Sequence, residues 1–225
     1  MYGKKMNQSK QSMISTQNYK QKNSTFCLIL GPMFASKSTE LIRIANRYNS
    51  IGIPILAINH SWNQRYGTTE ICSHDLTKLS PSISISKLMD IFKYESWKQK
   101  YEEAELIFIE EIQFFDDAYE FVLQAMDQDK KGIVAAGLSG DYLRQPFVSI
   151  PKLIPLATEI IHLTALCKLC GNGKSASYTL RFIQDKKDQT SVGAGEQYMP
   201  VCHDHYLIEM ERMEKNKEQE SIEKK

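Results

Sequence analysis

Cys167 and Cys170 stand two residues apart, and Cys202 and His205 repeat that spacing further along the chain, in segments that read CKLC and CHDH. Thiolate sulfur and imidazole nitrogen are ligands that zinc prefers, and a two-residue gap lets both members of a clip reach one ion. Four such ligands close a tetrahedral shell and leave no open position, so the expected ion is structural Zn2+. His203 is an alternative ligand, but its gap from Cys202 favours His205. The plainer reading is two buried cysteine pairs and a surface histidine. A second cluster lies near the start: Gly31, Pro32, Met33, Phe34, Ala35, Ser36, Lys37 and Ser38. It follows the phosphate-binding pattern G-x-x-x-x-G-K-[ST] except that Ser36 replaces the second glycine. In such a loop, successive backbone N–H groups and a helix N-terminus surround phosphate oxygens. Lys37 would neutralise the outer phosphates and the Ser38 hydroxyl would hold Mg2+. A Cβ at position 36 costs about 1–2 kcal/mol if the backbone there needs positive φ. Otherwise the segment is an ordinary strand–turn–helix with a surface lysine.

Residues 106–115 read LIFIEEIQFF and put Glu110 and Glu111 at the C-terminal end of an apolar run. In open parallel sheets that edge is where ligands bind. One carboxylate can orient a Mg2+ shell and the other can take a proton from an attacking hydroxyl. A solvated acid pair capping the next helix is the competing reading. Phe114 and Phe115 offer a flat apolar surface beside the acids and favour the first.

The elements that must position these residues alternate. Residues 25–30 form a short apolar run closed by Gly31-Pro32, which predicts a buried parallel strand. Helical spacing follows over 38–48. Further strands are expected at 53–58, around Ile83 and Ile85, at 106–109 and at 133–136, with helices over 88–100 and 118–126. This alternation predicts an α/β fold, a parallel sheet covered on both faces. Residues 1–24 carry no acidic side chain and predict a disordered basic tail. Residues 207–225 mix Glu and Lys and read as a frayed helix or tail. A formal net charge of +1 over 225 residues gives no polyanion-binding signal. No apolar run is long enough to span a bilayer and no signal-peptide segment opens the chain. The five cysteines then imply a reducing compartment, with Cys27 and Cys72 read as packing residues.

Taken together these motifs resemble the type II thymidine kinases, over roughly residues 24–206. The family loop GPMFSGKST stands here as GPMFASKST, its DEGQFF as EEIQFF, and its GLDGDF…PF as GLSGDYLRQPF. The stretch LIPLATEIIHLTALC before the first clip and YMPVC before the second also look like family sequence. The resemblance implies a cytoplasmic homotetrameric kinase with a phosphate-loop sheet over residues 25–150 and a zinc-binding lasso subdomain over 151–206. It implies transfer of the γ-phosphoryl of ATP to the 5′-hydroxyl of thymidine or deoxyuridine, with thymidine triphosphate as a feedback inhibitor and no nucleic-acid or membrane partner. Glu111 matches the proton acceptor, and Lys37 and Arg65 the residues on the transferring phosphoryl. Glu110 falls where the family has Asp, and Asn63 replaces another family Asp. Gln64, Ile112 and Gln113 complete the nucleotide contacts. Met33, Phe114, Leu138, Tyr142 and Phe147 match the nucleoside box. Gln189, Thr190, Ser191, Val192 and Gly193, with Tyr198 beyond them, match the lasso that reads the pyrimidine edge.

Two other functions compete. Ser36, Glu110 and Asn63 would suit a catalytically impaired relative kept for nucleotide binding or regulation. A phosphate-loop ATPase whose zinc unit binds nucleic acid would need basic residues interleaved with aromatics between the clips, and these are lacking.

Overall fold

Phe26–Gly31 forms strand β1, paired in parallel along both edges and covered by a core on each face, which is why its residues are apolar on both faces. The structure is a computed structural model that describes residues 24–62, 71–72, 78–79, 82–182 and 197–223. After β1 come helix α1 (Lys37–Asn49), β2 (Ile55–His60), the two-residue strands β3 (Ile71–Cys72) and β4 (Lys78–Leu79), and β5 (Ser82–Ile85). Then follow α2 (Glu95–Glu103), β6 (Leu106–Ile109), α3 (Ala118–Leu123), β7 (Gly132–Leu138), α4 (Ser149–Leu153) and β8 (Glu159–His162). The last part holds β9 (Ala165–Leu166), β10 (Ser175–Ala176), β11 (Tyr178–Arg181), β12 (Tyr198–Val201) and α5 (His203–Glu223). Six strands make one parallel sheet in the order β5-β2-β6-β7-β1-β8, as the alternating pattern predicts.

Side chains alternate between the two faces of a strand, and the two cores follow that period. Phe26, Leu28 and Leu30, Leu56 and Ile58, Ile107 and Ile109, and Ile133 and Ala135 face one core. Ile29, Ala57, Phe108, Val134 and Ala136 face the other, where α1 lays down Leu41, Ile42 and Ala45. Full burial of a side chain such as Leu41 contributes about 1.5–3 kcal/mol. A third, smaller core gathers Ala35, Ala165, Cys167, Ala176, Leu180, Val201, Cys202 and Tyr206.

Some expected elements differ. Residues 88–100 are not one helix: a 3-10 turn over Leu88–Phe92 stops before α2, and Tyr94 between them is extended at φ −117°. The Asp117 carboxylate caps the start of that 3-10 turn, accepting the N–H groups of Leu88 (3.0 Å) and Met89 (2.8 Å). Strand β2 starts after Pro54, whose carbonyl accepts Glu105 N–H instead. Strand β8 lies within the 151–206 segment yet joins the main sheet beside β1. Phe115 is fully buried in the first core, so of the two phenylalanines after the acids only Phe114 is left near the surface. Among the described residues, no helix is long and apolar enough to cross a membrane.

Candidate active site

Gly31 closes β1 at a point where no side chain fits. An added Cβ would lie 2.4 Å from the carbonyl oxygen of Leu163. The turn that follows carries two left-handed residues, Phe34 (φ 65°) and Ser36 (φ 58°), neither of them glycine. The expected strain at Ser36 is therefore present, and it delivers the chain into the first turn of α1. Lys37 folds back over the turn and its Nζ donates to the Pro32 carbonyl at 2.7 Å. Burial pushes its ammonium pKa down, opposed by the charges of Glu111 and Glu110.

Ser38 Oγ donates to Glu110 Oε1 at 2.7 Å, so the loop and the acid pair meet. Glu110 is 4% exposed. Burial first and the neighbouring Glu111 second push its pKa up to about 8, while Ser38 and Lys37 pull the other way. Its Oε2 is buried with no hydrogen-bond partner among the described residues. A cation beside that oxygen would satisfy it, so the donor set fits a hard divalent ion such as Mg2+. Glu111 adopts φ 55°, another left-handed position without glycine. Such strain concentrates where geometry matters for function. Gln113 Nε2 donates to Glu111 Oε2 at 2.7 Å.

The candidate nucleoside box falls into two groups. Phe114, Leu138 and Phe147 belong to the sheet side, Phe114 and Phe147 meeting edge-to-face with centroids 6.0 Å apart. Met33, Tyr142 and Tyr198 lean on the metal side. Met33 N–H donates to Thr179 Oγ1 of β11 at 3.0 Å. The Arg181 guanidinium lies 5.3 Å from the Tyr142 ring and 5.8 Å from the Tyr198 ring, facing Tyr198 across the β11–β12 ladder. Tyr206 Oη donates to the Tyr142 carbonyl at 2.9 Å. Both candidate site loops thus rest on the unit that carries the Cys/His clips.

Cys167, Cys170, Cys202 and His205 converge, with all ligand atoms within 4.8 Å of one another. His205 Nδ1 lies 3.5, 3.3 and 3.4 Å from the sulfurs of Cys167, Cys170 and Cys202, and the Cys170 and Cys202 sulfurs are 3.8 Å apart. A tetrahedron with Zn–S near 2.3 Å and Zn–N near 2.0 Å has edges of about 3.8 Å between sulfurs and about 3.5 Å between sulfur and nitrogen. The cluster matches both edges, so the residues present fit a zinc ion. His203 is exposed, with its ring beside Tyr178 at 5.7 Å.

Asn63, Gln64, Arg65 and the run Gln189, Thr190, Ser191, Val192 and Gly193 lie outside the described residues. Ile112 is fully buried in the first core. Thr179, Arg181 and Tyr206 were not among the expected site residues. Their one signal is the alternation of Thr179 and Arg181 on a strand, which puts both on one face.

The family model for thymidine kinase matches residues 24–206. A thymidine kinase of Oryza sativa subsp. japonica is 40% identical over 80% of this chain and 65% of its own length. Thymidine kinase a of Arabidopsis thaliana is 37% identical over 80% of this chain and 74% of its own. The thymidine kinase of Yaba monkey tumor virus is 38% identical over 80% of this chain and 93% of its own. The chain therefore spans just under two thirds of the rice relative and nearly all of the viral one. A match from Ser24 through the last metal ligand, over the loop, the acids and both clips, settles the family: the chain belongs to the thymidine kinases.

Proposed function

We propose that this protein transfers the γ-phosphoryl group of ATP to the 5′-hydroxyl of thymidine or deoxyuridine, giving the nucleoside monophosphate. One observation carries the reading: Ser38 and Glu110 are in contact at 2.7 Å, so a phosphate-type loop and an acid pair form one site in a chain of this family. When bound, Mg-ATP supplies the phosphoryl group and the metal charge that neutralises it. The backbone N–H groups of residues 31–38 hold the phosphates, and Lys37 exchanges its Pro32 contact for a phosphate oxygen. Ser38, Glu110 and Asn63 hold the metal side, and Arg65 with its neighbour Gln64 faces the transferring group. Glu111 accepts the proton of the 5′-hydroxyl as that oxygen attacks. Met33, Phe114, Leu138, Tyr142, Phe147 and Tyr198 enclose the nucleoside, and residues 189–193 read its base edge through backbone groups.

The Cys3His cluster would hold zinc with four protein ligands, and such an ion would tie together the two stretches that flank residues 183–196. The reading assigns residues 25–150 to the nucleotide and 151–206 to the acceptor lid, with β8 as the strand of the second segment that returns to the sheet. It includes a cytoplasmic homotetramer inhibited by thymidine triphosphate.

The experiment is a phosphoryl-transfer assay over a panel of nucleosides with Mg-ATP, with Glu111→Gln alongside. Thymidine and deoxyuridine are expected to turn over, and the variant to lose turnover while still binding nucleoside. Equal rates for parent and variant would remove Glu111 as the base. The strained Ser36 favours a second reading, a nucleotide-binding relative with impaired turnover. Nucleoside binding without any phosphorylation by the parent would select it.

A further inference from the structure

We propose that Gln113 is a positioning residue, its side-chain amide tying the Glu111 carboxylate to the backbone of the nucleoside wall at Leu138. The proposal rests on the kinase reading above and concerns how the proton acceptor is aimed.

Gln113 is 5% exposed and its amide is engaged at both ends. Nε2 donates to Glu111 Oε2 at 2.7 Å, and Oε1 accepts Leu138 N–H at 3.1 Å. A carboxylate only accepts and a peptide N–H only donates, so a single side chain that spans them must offer one donor and one acceptor. Glutamine does so at this length; glutamate would present two acceptors and repel Glu111. The Gln113 backbone carbonyl in turn accepts Ser149 Oγ–H at 3.3 Å. The neighbouring strand leaves room for this bridge. A Cβ on Gly137 would stand 2.8 Å from Gln113 Oε1 and 2.9 Å from Ile112 Cγ2, so Gly137 is the notch into which the amide fits.

The bridge explains two features of Glu111. Its left-handed backbone (φ 55°) is strained, and a side-chain tether helps to keep it there. Among the described residues its Oε1 accepts no hydrogen bond, so Gln113 occupies one oxygen and leaves the other for the acceptor hydroxyl. The resemblance puts Gln113 beside the nucleotide, whereas its amide here is occupied by two protein partners. Because Leu138 is also a wall of the nucleoside box, the base and the wall share one register.

The test is steady-state kinetics with thymidine and Mg-ATP on the parent, Gln113→Met, Gln113→Asn and Gly137→Ala, with Leu138 amide exchange followed by NMR. For Gln113→Met we expect kcat to fall about 10- to 100-fold, the scale of a reacting group displaced by about 1 Å. The KM for thymidine should move by less than about threefold, because ground-state binding is left in place. Gln113→Asn keeps the amide but is a methylene short, and should give an intermediate loss. Gly137→Ala should show the same kcat-selective defect by filling the notch. Leu138 exchange should speed up in all three. If Gln113→Met fails to fold, Gln113→Asn and Gly137→Ala carry the test. An active parent with unchanged kcat in the variants, or with KM rising as far as kcat falls, would overturn the bridge alone. A parent that phosphorylates no nucleoside would overturn the kinase reading and the bridge with it.

Discussion

Ser38 Oγ and Glu110 Oε1 are joined by a 2.7 Å hydrogen bond, although the strands leading to them, β1 and β6, are separated by β7. The contact bridges the C-terminal ends of two strands that are not neighbours in the sheet. Sheet order therefore allows the loop after β1 to meet the acid after β6. The same bond is one of two influences lowering the pKa of a buried carboxyl that burial and Glu111 push up to about 8.

Removing either end of this bond should separate stability from activity. Ser38→Ala leaves Glu110 without its partner, which should destabilise the ligand-free protein by about 1–3 kcal/mol. Glu110→Gln deletes a buried carboxyl whose Oε2 has no partner among the described residues. Ligand-free stability should then match or exceed the parent, because the parent carboxyl must take up a proton at neutral pH on folding and glutamine need not. Both variants should lose Mg-ATP-dependent turnover. Urea melts at neutral pH read the first effect; a Glu110→Gln variant less stable than Ser38→Ala would show that the carboxyl is well satisfied.

Ser36 is exposed and left-handed at φ 58°. Ser36→Gly removes a penalty of about 1–2 kcal/mol, while the freer unfolded chain takes back roughly 0.5–1 kcal/mol. The net gain is a rise in melting temperature of about 1–4 °C for a chain of this size. Thermal melts of parent and variant decide it, and a lower midpoint for Ser36→Gly would mean that contacts of the serine outweigh the strain.

The metal cluster predicts one zinc per chain by elemental analysis. Cys170→Ser and His205→Ala should lose it, whereas His203→Ala should keep it, since that ring sits beside Tyr178 and outside the cluster. The third core contains Ala35 of the candidate phosphate loop, so the loss should reach that loop as well. A deficit of about 3 kcal/mol or more would lower the melting temperature by roughly 6–12 °C. Zinc retained by His205→Ala and lost by His203→Ala would reassign the fourth ligand.

What could be read in advance follows from where the deciding contacts lie along the chain. The unbroken apolar runs of β1 and β6, closed by Gly31-Pro32 and Glu110, announce inner strands by local sequence. The metal clips are equally local. The start of the 3-10 turn at Leu88 is not, because Asp117, 29 residues further on, caps it. β8 is an edge strand whose Glu159, Ile160 and His162 remain exposed, so it carries neither an apolar run nor a clear alternation. Thr179 and Arg181 look like any polar strand residues until Met33 and Tyr142 arrive from distant segments.

His60, 2% exposed at the end of β2, should make stability fall in mildly acidic solution. Its Nδ1 accepts Trp62 N–H at 3.2 Å and its ring stands edge-on to Phe115 at 4.6 Å. Burial pushes its pKa below the ordinary 6.5, outweighing the opposing pulls of the Ser86 backbone, Glu111, Asp116 and Asp117. Above pH 6.5 the ring is neutral in both states and contributes no pH dependence. As pH falls below that value the unfolded chain takes up a proton that the folded chain still refuses, so stability is lost down to the lowered folded pKa. His60→Asn keeps an acceptor for Trp62 but cannot ionise. Denaturant melts of the two proteins between neutral pH and about pH 5 should converge as pH falls, with the zinc ligands and nearby acids titrating in both and cancelling in the difference. Curves that stay parallel through that window would mean that the folded ring accepts the proton as readily as the unfolded one.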